Sequence, residues 1–328
     1  LGVEDVAQTV APRTIHRLFQ AMEGFAGPWV LIPGNHDAAL AESVWTRAQR
    51  LGAVPAHVHV LLAPEVRVFA ELGFAVLPAP LTQRHTYGDL TEWFDRAETP
   101  AGLLRIGLAH GSVQGLLAED IDSANPIAPD RAARARLDYL ALGDWHGRKQ
   151  INARTWYAGT PEPDRFKSND AGFALLVDLP APGAEPQVTS LPTAQFQWHP
   201  LQADLQVASD VDALIQRLHA LGPADVAELR LSGQIDLAGE QRLQAALGSA
   251  EARSRHLQVE RSALRLQPTD EDIAGLQADG YLGEVIAELR LASRQAADTA
   301  AARTAQDALA LLAAQLQPRA AAGEGARP

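Results

Sequence analysis

Trp29-Val30-Leu31-Ile32-Pro33-Gly34-Asn35-His36-Asp37 is an apolar run that breaks into a polar turn. Large apolar residues closed off by Pro-Gly predict a buried strand followed by a turn. The turn holds parts of a metal-assisted phosphoester hydrolysis. Asn35 offers a neutral oxygen ligand and His36 a proton donor, while Asp37 offers a carboxylate able to fix the His36 tautomer. Gly and Asn favour turns for their own reasons. The motif therefore gains weight only if further ligand-type residues follow at strand ends.

Two more segments supply them. Residues 103–113 form an apolar run that delivers His110 at its end, and residues 137–147 form another that ends in Asp144 and His146. Asp144 and His146 stand two apart, so in extended backbone their side chains point the same way. In α/β proteins, sites assemble at the C-terminal ends of strands. Three such strand ends in one chain predict a common site.

At these residues the chain resembles the calcineurin-like metallophosphoesterases, and within them the SbcD-type DNA-repair exonuclease subunits. Gly34-Asn35-His36-Asp37 matches one family motif, and Ala109-His110-Gly111 matches the next. Gly143-Asp144-Trp145-His146 stands where Gly-His-x-His is usual, and Tyr157-Ala158-Gly159-Thr160-Pro161-Glu162 resembles the Tyr-Pro-Gly-Ser-Pro-Glu that follows. The likeness runs over about residues 25–180. Two motifs that open the family pattern, Asp-x-His and Gly-Asp-x-x-Asp, have no counterpart before Trp29; the expectation is a chain that starts after them. Asp144 replaces a usual His, and a hard oxygen donor suits Mn²⁺ or Mg²⁺.

The resemblance implies an α/β sandwich of mixed sheets flanked by helices, with a smaller α+β capping domain and C-terminal helices. It implies two divalent ions, Mn²⁺ first, with Mg²⁺, Fe²⁺ or Zn²⁺ compatible. Asn35, His110 and Asp144 would hold one ion and His146 would help hold the other. His36, oriented by Asp37, would protonate the leaving oxygen. DNA is the implied substrate; an SbcC-like coiled-coil ATPase and a second copy of the chain are implied partners. Two other readings stay open: a phosphoesterase for a small substrate, and a catalytically silent binding protein.

Composition bounds the rest. The chain has 328 residues, a hydrophobic share of 47% and no Cys, so thiolate metal sites and disulfides are excluded. That composition fits a cytoplasmic protein, and no apolar run reaches the length of a membrane span. Net charge is −12, which argues against clamping nucleic acid over the whole surface. From Arg131 to Lys167, however, eight basic residues stand against four acidic ones, giving +4 and leaving −16 elsewhere. Arg148 and Lys149, just past His146, are candidate phosphate contacts, as are Arg84 and His85 in the loop after Pro78-Ala79-Pro80-Leu81. Arg131, Arg134 and Arg136 read equally as a solvated helix face. His57 and His59 read as an exposed strand face, and Asp164-Arg165 as a local ion pair of little consequence.

Periodicity predicts a helix at Thr14–Gly24, with Leu18, Met22 and Phe25 as its apolar stripe, and another at Ala39–Leu51. Residues 104–109 and 138–142 are expected as buried strands. Trp156–Ala158, Phe173–Val177 and Val188–Leu191 are expected to complete a second sheet layer. The expected domains are residues 1–192, an α+β unit at 193–268, a helical segment at 269–317 and a disordered tail at 318–328.

Overall fold

Short apolar runs separated by Gly and Pro give short strands, and the first half of the chain is built from them. The structure, a computed structural model, describes residues 10–115, 124–166, 169–275, 280–294 and 299–316. Lys167 and the tail at 318–328 lie outside those residues. The chain divides into two units, one up to Gln195 and one from Phe196 onward.

In the first unit, helix α1 (Pro12–Gln20) opens with proline in its first turn, where the missing N–H costs nothing. It buries Ile15 and Phe19, and Met22 lies beneath the turn that follows. Leu18 and Phe25, expected on the inner stripe, are exposed. The helix ends at Gln20, and the i, i+4 pair Ile15/Phe19 takes the core side. Strand β1 (Trp29–Leu31) leads through α2 (Val44–Arg50) to β2 (Val58–Val60), and the two strands pair in parallel. The second helix starts five residues later than expected. Ala39 N–H is committed to Leu81 O, and the Ser43/Thr46 capping box sets the first turn.

Next come β3 (Arg67–Phe69), β4 (Phe74–Ala79), β5 (Leu104–His110), β6 (Ser112–Val113), β7 (Pro126–Ile127), the single turn α3 (Arg131–Arg134), β8 (Tyr139–Gly143), β9 (Lys149–Asn152) and β10 (Thr155–Tyr157). Six of these strands form one mixed sheet in the order β3-β4-β5-β8-β10-β9, and β4, β5, β8 and β10 run parallel. Leu77, Ala79, Phe94, Leu140 and Leu142 fill the core beside it. Parallel pairing sends β5 and β8 to the same edge, with His110 in register with Gly143.

The expected second layer is corrected at Trp156. β10 belongs to this sheet, while β11 (Phe173–Asp178) and β12 (Gln187–Pro192) form a separate antiparallel hairpin. The tight turn at Asn152–Arg154 folds β9 back on β10, and β10 then takes the free edge of β8.

In the second unit, β13 (Gln197–Leu205), α4 (Ala208–His219), β14 (Asp225–Ile235), α5 (Leu237–Arg253) and β15 (His256–Leu266) alternate, and the three strands pair in parallel in sequence order. This corrects the expected α+β unit to an alternating α/β one. A helix between successive strands carries the chain back across the sheet, so the strands must run the same way. Leu205, Leu229, Leu231 and Ile235 meet Leu214, Leu218 and Leu243 in one core. The other sheet face carries polar residues such as Gln202, Arg230 and Glu260. Helices α6 (Asp270–Gly275), α7 (Tyr281–Arg294) and α8 (Ala300–Leu316) follow, with Ile286, Ala305 and Leu309 buried. Among the described residues no helix is long and apolar enough to cross a membrane.

Candidate metal centre

The turn after β1 is closed by its own acid. Asp37 Oδ1 accepts from Gly34 N–H at 2.6 Å, and Trp45 Nε1–H donates to Asp37 O at 3.0 Å. Leu81 N–H reaches Pro33 O, which ties the turn to the segment after β4. Asp37 was expected to orient His36, yet among the described residues no hydrogen bond joins them. A carboxylate three residues after an N–H closes the turn locally, and that bond uses it. His36 itself is exposed.

So held, Asn35 meets His110: its Oδ1 lies 3.0 Å from His110 Nε2, and Asp144 Oδ1 lies 3.5 Å from the same nitrogen. Three atoms able to bear lone pairs thus face one another from three strand ends. Such a group needs a proton or a cation among its members. A proton on His110 Nε2 would serve Asn35 Oδ1. Ligands about 2.1 Å from an ion at right-angled positions lie about 3 Å apart, so the spacing also fits a shared divalent cation. The glycines beside these ligands give the imidazole room. A Cβ on Gly34 would stand 2.7 Å from His110 Cε1, and one on Gly143 2.9 Å from its Nδ1.

Asp144 has φ +102°, rare for a side-chain-bearing residue. Backbone in such a region costs on the order of 1–3 kcal/mol, and strain of this kind gathers at functional sites. Tyr157 braces the neighbouring turn: its hydroxyl donates to Gly111 O at 2.7 Å and accepts from Val113 N–H at 3.0 Å. Burial raises its phenol well above the ordinary range.

His146 stands apart from this group. Its Nδ1 lies 2.6 Å from Asp164 Oδ2 and 2.7 Å from an Arg165 guanidinium nitrogen. Among the described residues no hydrogen bond or ion pair links it to Asn35, His110 or Asp144. The Arg165 guanidinium, and after it His146, hold the Asp164 carboxyl below its usual range. Asp164 is therefore a partner of a candidate ligand, which corrects the reading of Asp164-Arg165 as inconsequential. The signal was Gly159. At φ +76° it lets its segment lie against the His146–Gly147 backbone, where Thr160 N–H bonds His146 O. Among the described residues no group of three or more His, Asp or Glu side chains is gathered as a metal would require. Three donors for one cation are present only when the Asn35 amide is counted, and ligands for a second are not assembled.

The expected phosphate contacts fare unevenly. Arg148 is held by Asp170 at 2.7 Å and stacks 4.3 Å from the Phe173 ring centroid, so its charge is already matched. Lys149 lies 5.0 Å from the Trp145 ring centroid. Arg84 and His85 are exposed on a loop pinned by buried Asn125, whose Oδ1 accepts from Thr86 N–H and Oγ1–H and whose Nδ2–H donates to Arg84 O. Asn125 O also accepts from Ser112 N–H, two residues past His110. The basic window is corrected. Arg131, Arg134, Arg148, Arg154 and Arg165, five of its eight cations, each face an aspartate. Arg131 is fully buried between Asp89 and Asp95, so it cannot line a solvated helix face. His57 and His59 do not converge on a ligand. His57 Nε2 lies near Met22 O, and the His59 ring packs edge-on against Phe69.

No protein-family model matches the chain, and no curated protein is significantly similar to it.

Proposed function

We propose that the first unit is a metal-dependent phosphoesterase of the calcineurin-like type, acting on DNA ends as an exonuclease subunit. The observation that carries this reading is the meeting of Asn35 Oδ1, His110 Nε2 and Asp144 Oδ1 at the ends of separate strands. These three would hold a divalent cation, and an α/β sandwich would be their scaffold. When bound, the cation supplies Lewis acidity toward a phosphoryl oxygen. His36, exposed on the turn next to Asn35, delivers a proton to the leaving oxygen. Asp164 holds His146 in one orientation, and Lys149 balances phosphate charge.

The test is a Mn²⁺ titration followed by paramagnetic resonance, paired with hydrolysis of linear duplex DNA. Wild type is expected to bind Mn²⁺ saturably, and His110→Ala to weaken it at least about tenfold, the low end of what metal-site substitutions cost. Equal Mn²⁺ binding by both proteins would refute the assignment. A second reading, a phosphoesterase for small substrates, draws support from the paired state of the basic window. With five of its cations matched by aspartates, little free charge remains to track a DNA backbone. Faster turnover of para-nitrophenyl phosphate than of DNA selects that reading.

A further inference from the structure

The second unit carries a cavity that the reading of the first unit leaves unused. It measures about 340 Å³, within the range of small-ligand pockets, and opens where β14 and β15 end, at Gln234, Arg265 and Leu266. In parallel α/β units this is the strand edge at which ligands bind. Helices α6, α7 and α8 close the other side. The lining holds four cations, Arg265, Arg290, Arg294 and Arg303, against two anions, Asp270 and Asp307, a formal +2 in a chain of net −12.

The arrangement of these charges is specific. Asp270 receives Arg290 at 2.5 Å and Arg294 at 3.0 Å, so one carboxylate fixes two guanidiniums and neutralises one of them. Among the described residues the Arg265 guanidinium has no hydrogen-bond or ion-pair partner. Guanidinium forks match phosphate oxygens in pairs. Leu266, Ile273 and Leu309 supply an apolar wall, and Gln234, Gln267 and Gln306 supply amides suited to the edge of a heterocycle. A bare inorganic anion would use none of these. We infer that the second unit binds an organic phosphate of mononucleotide size, its phosphates toward Arg265 and the Arg290–Arg294 pair. This binding needs no cation at the first unit.

Calorimetric titration of the full chain in excess chelator tests it, with ADP, inorganic pyrophosphate and adenosine as probes. Saturable ADP binding, displaced by pyrophosphate and not shared by adenosine, is the expected result. Arg265→Gln should weaken ADP about tenfold, Arg265→Lys less, with melting curves unchanged because Arg265 is exposed. His110→Ala should bind ADP as wild type does. Equal binding of adenosine and ADP, indifference to Arg265→Gln, or loss of ADP binding in His110→Ala each overturns the inference. The last would move the phosphate to the first unit.

Discussion

Asp144 holds a ligand-type carboxylate on backbone that a side-chain-bearing residue avoids, and glycine would relieve that strain. Asp144→Gly is therefore expected to raise the stability of the first unit by about 1 kcal/mol while removing cation-dependent turnover. Denaturant melts and a Mn²⁺ titration of the same variant measure both effects. A variant that loses stability as well would show the +102° conformation to be held by the Asp144 side chain itself. In the sequence Gly34 was legible only as a turn residue and Gly143 only as the first residue of a motif. Their second duty, clearing space for His110, depends on a side chain at least 33 residues away in the chain.

At the scale of elements, β5 and β8 run parallel and in register, which brings His110 and Asp144 together without any loop having to reach across. The loop with Arg84 and His85 is positioned differently, by one buried amide. Asn125→Ala would leave Thr86 N–H, the Thr86 hydroxyl and Arg84 O without that partner, at a cost of about 1–3 kcal/mol for each group that water cannot reach. Hydrogen exchange at residues 82–90 should accelerate in this variant while exchange in β8 stays slow. Unchanged exchange in the loop would mean that its rigidity comes from elsewhere. Apolar runs at 104–109 and 138–142 already marked β5 and β8, but Asn125 gave no sign of its role.

For the whole molecule, charge placement outweighs charge count. Arg131 sits fully buried between Asp89 and Asp95, and the Arg131→Ala variant strands the Asp89 carboxylate in the first unit, while Asp95 keeps Arg134. Breaking a buried pair this way costs about 3–5 kcal/mol. Burial pushes the Asp89 carboxyl upward. Hydrogen bonds from Thr91, Arg131 and the Ala128 N–H outweigh it, and the net effect is a pKa below the usual value. A depressed folded-state pKa means stability that is present above the ordinary carboxylate range and lost as pH falls through the folded-state value. The first unit should thus lose stability as acid is added below about pH 4, and Arg131→Ala should flatten that dependence. Chemical melts between pH 3 and 7 measure it, and an equally steep loss in the variant would remove Arg131 from the account.

The sequence by itself determined the strand ends and the ligand-type residues on them, because apolar period and turn chemistry act over a few neighbours. Only the tertiary structure decided which residues meet. It set His110 beside Asn35 from 75 positions away, gave His146 to Asp164, and turned Asp37 toward its own turn. It also matched the arginines of the basic window with aspartates, several from outside that window. Ion pairs and ligand groups form between atoms close in space, and chain distance carries almost no information about that closeness until the sheet order is known.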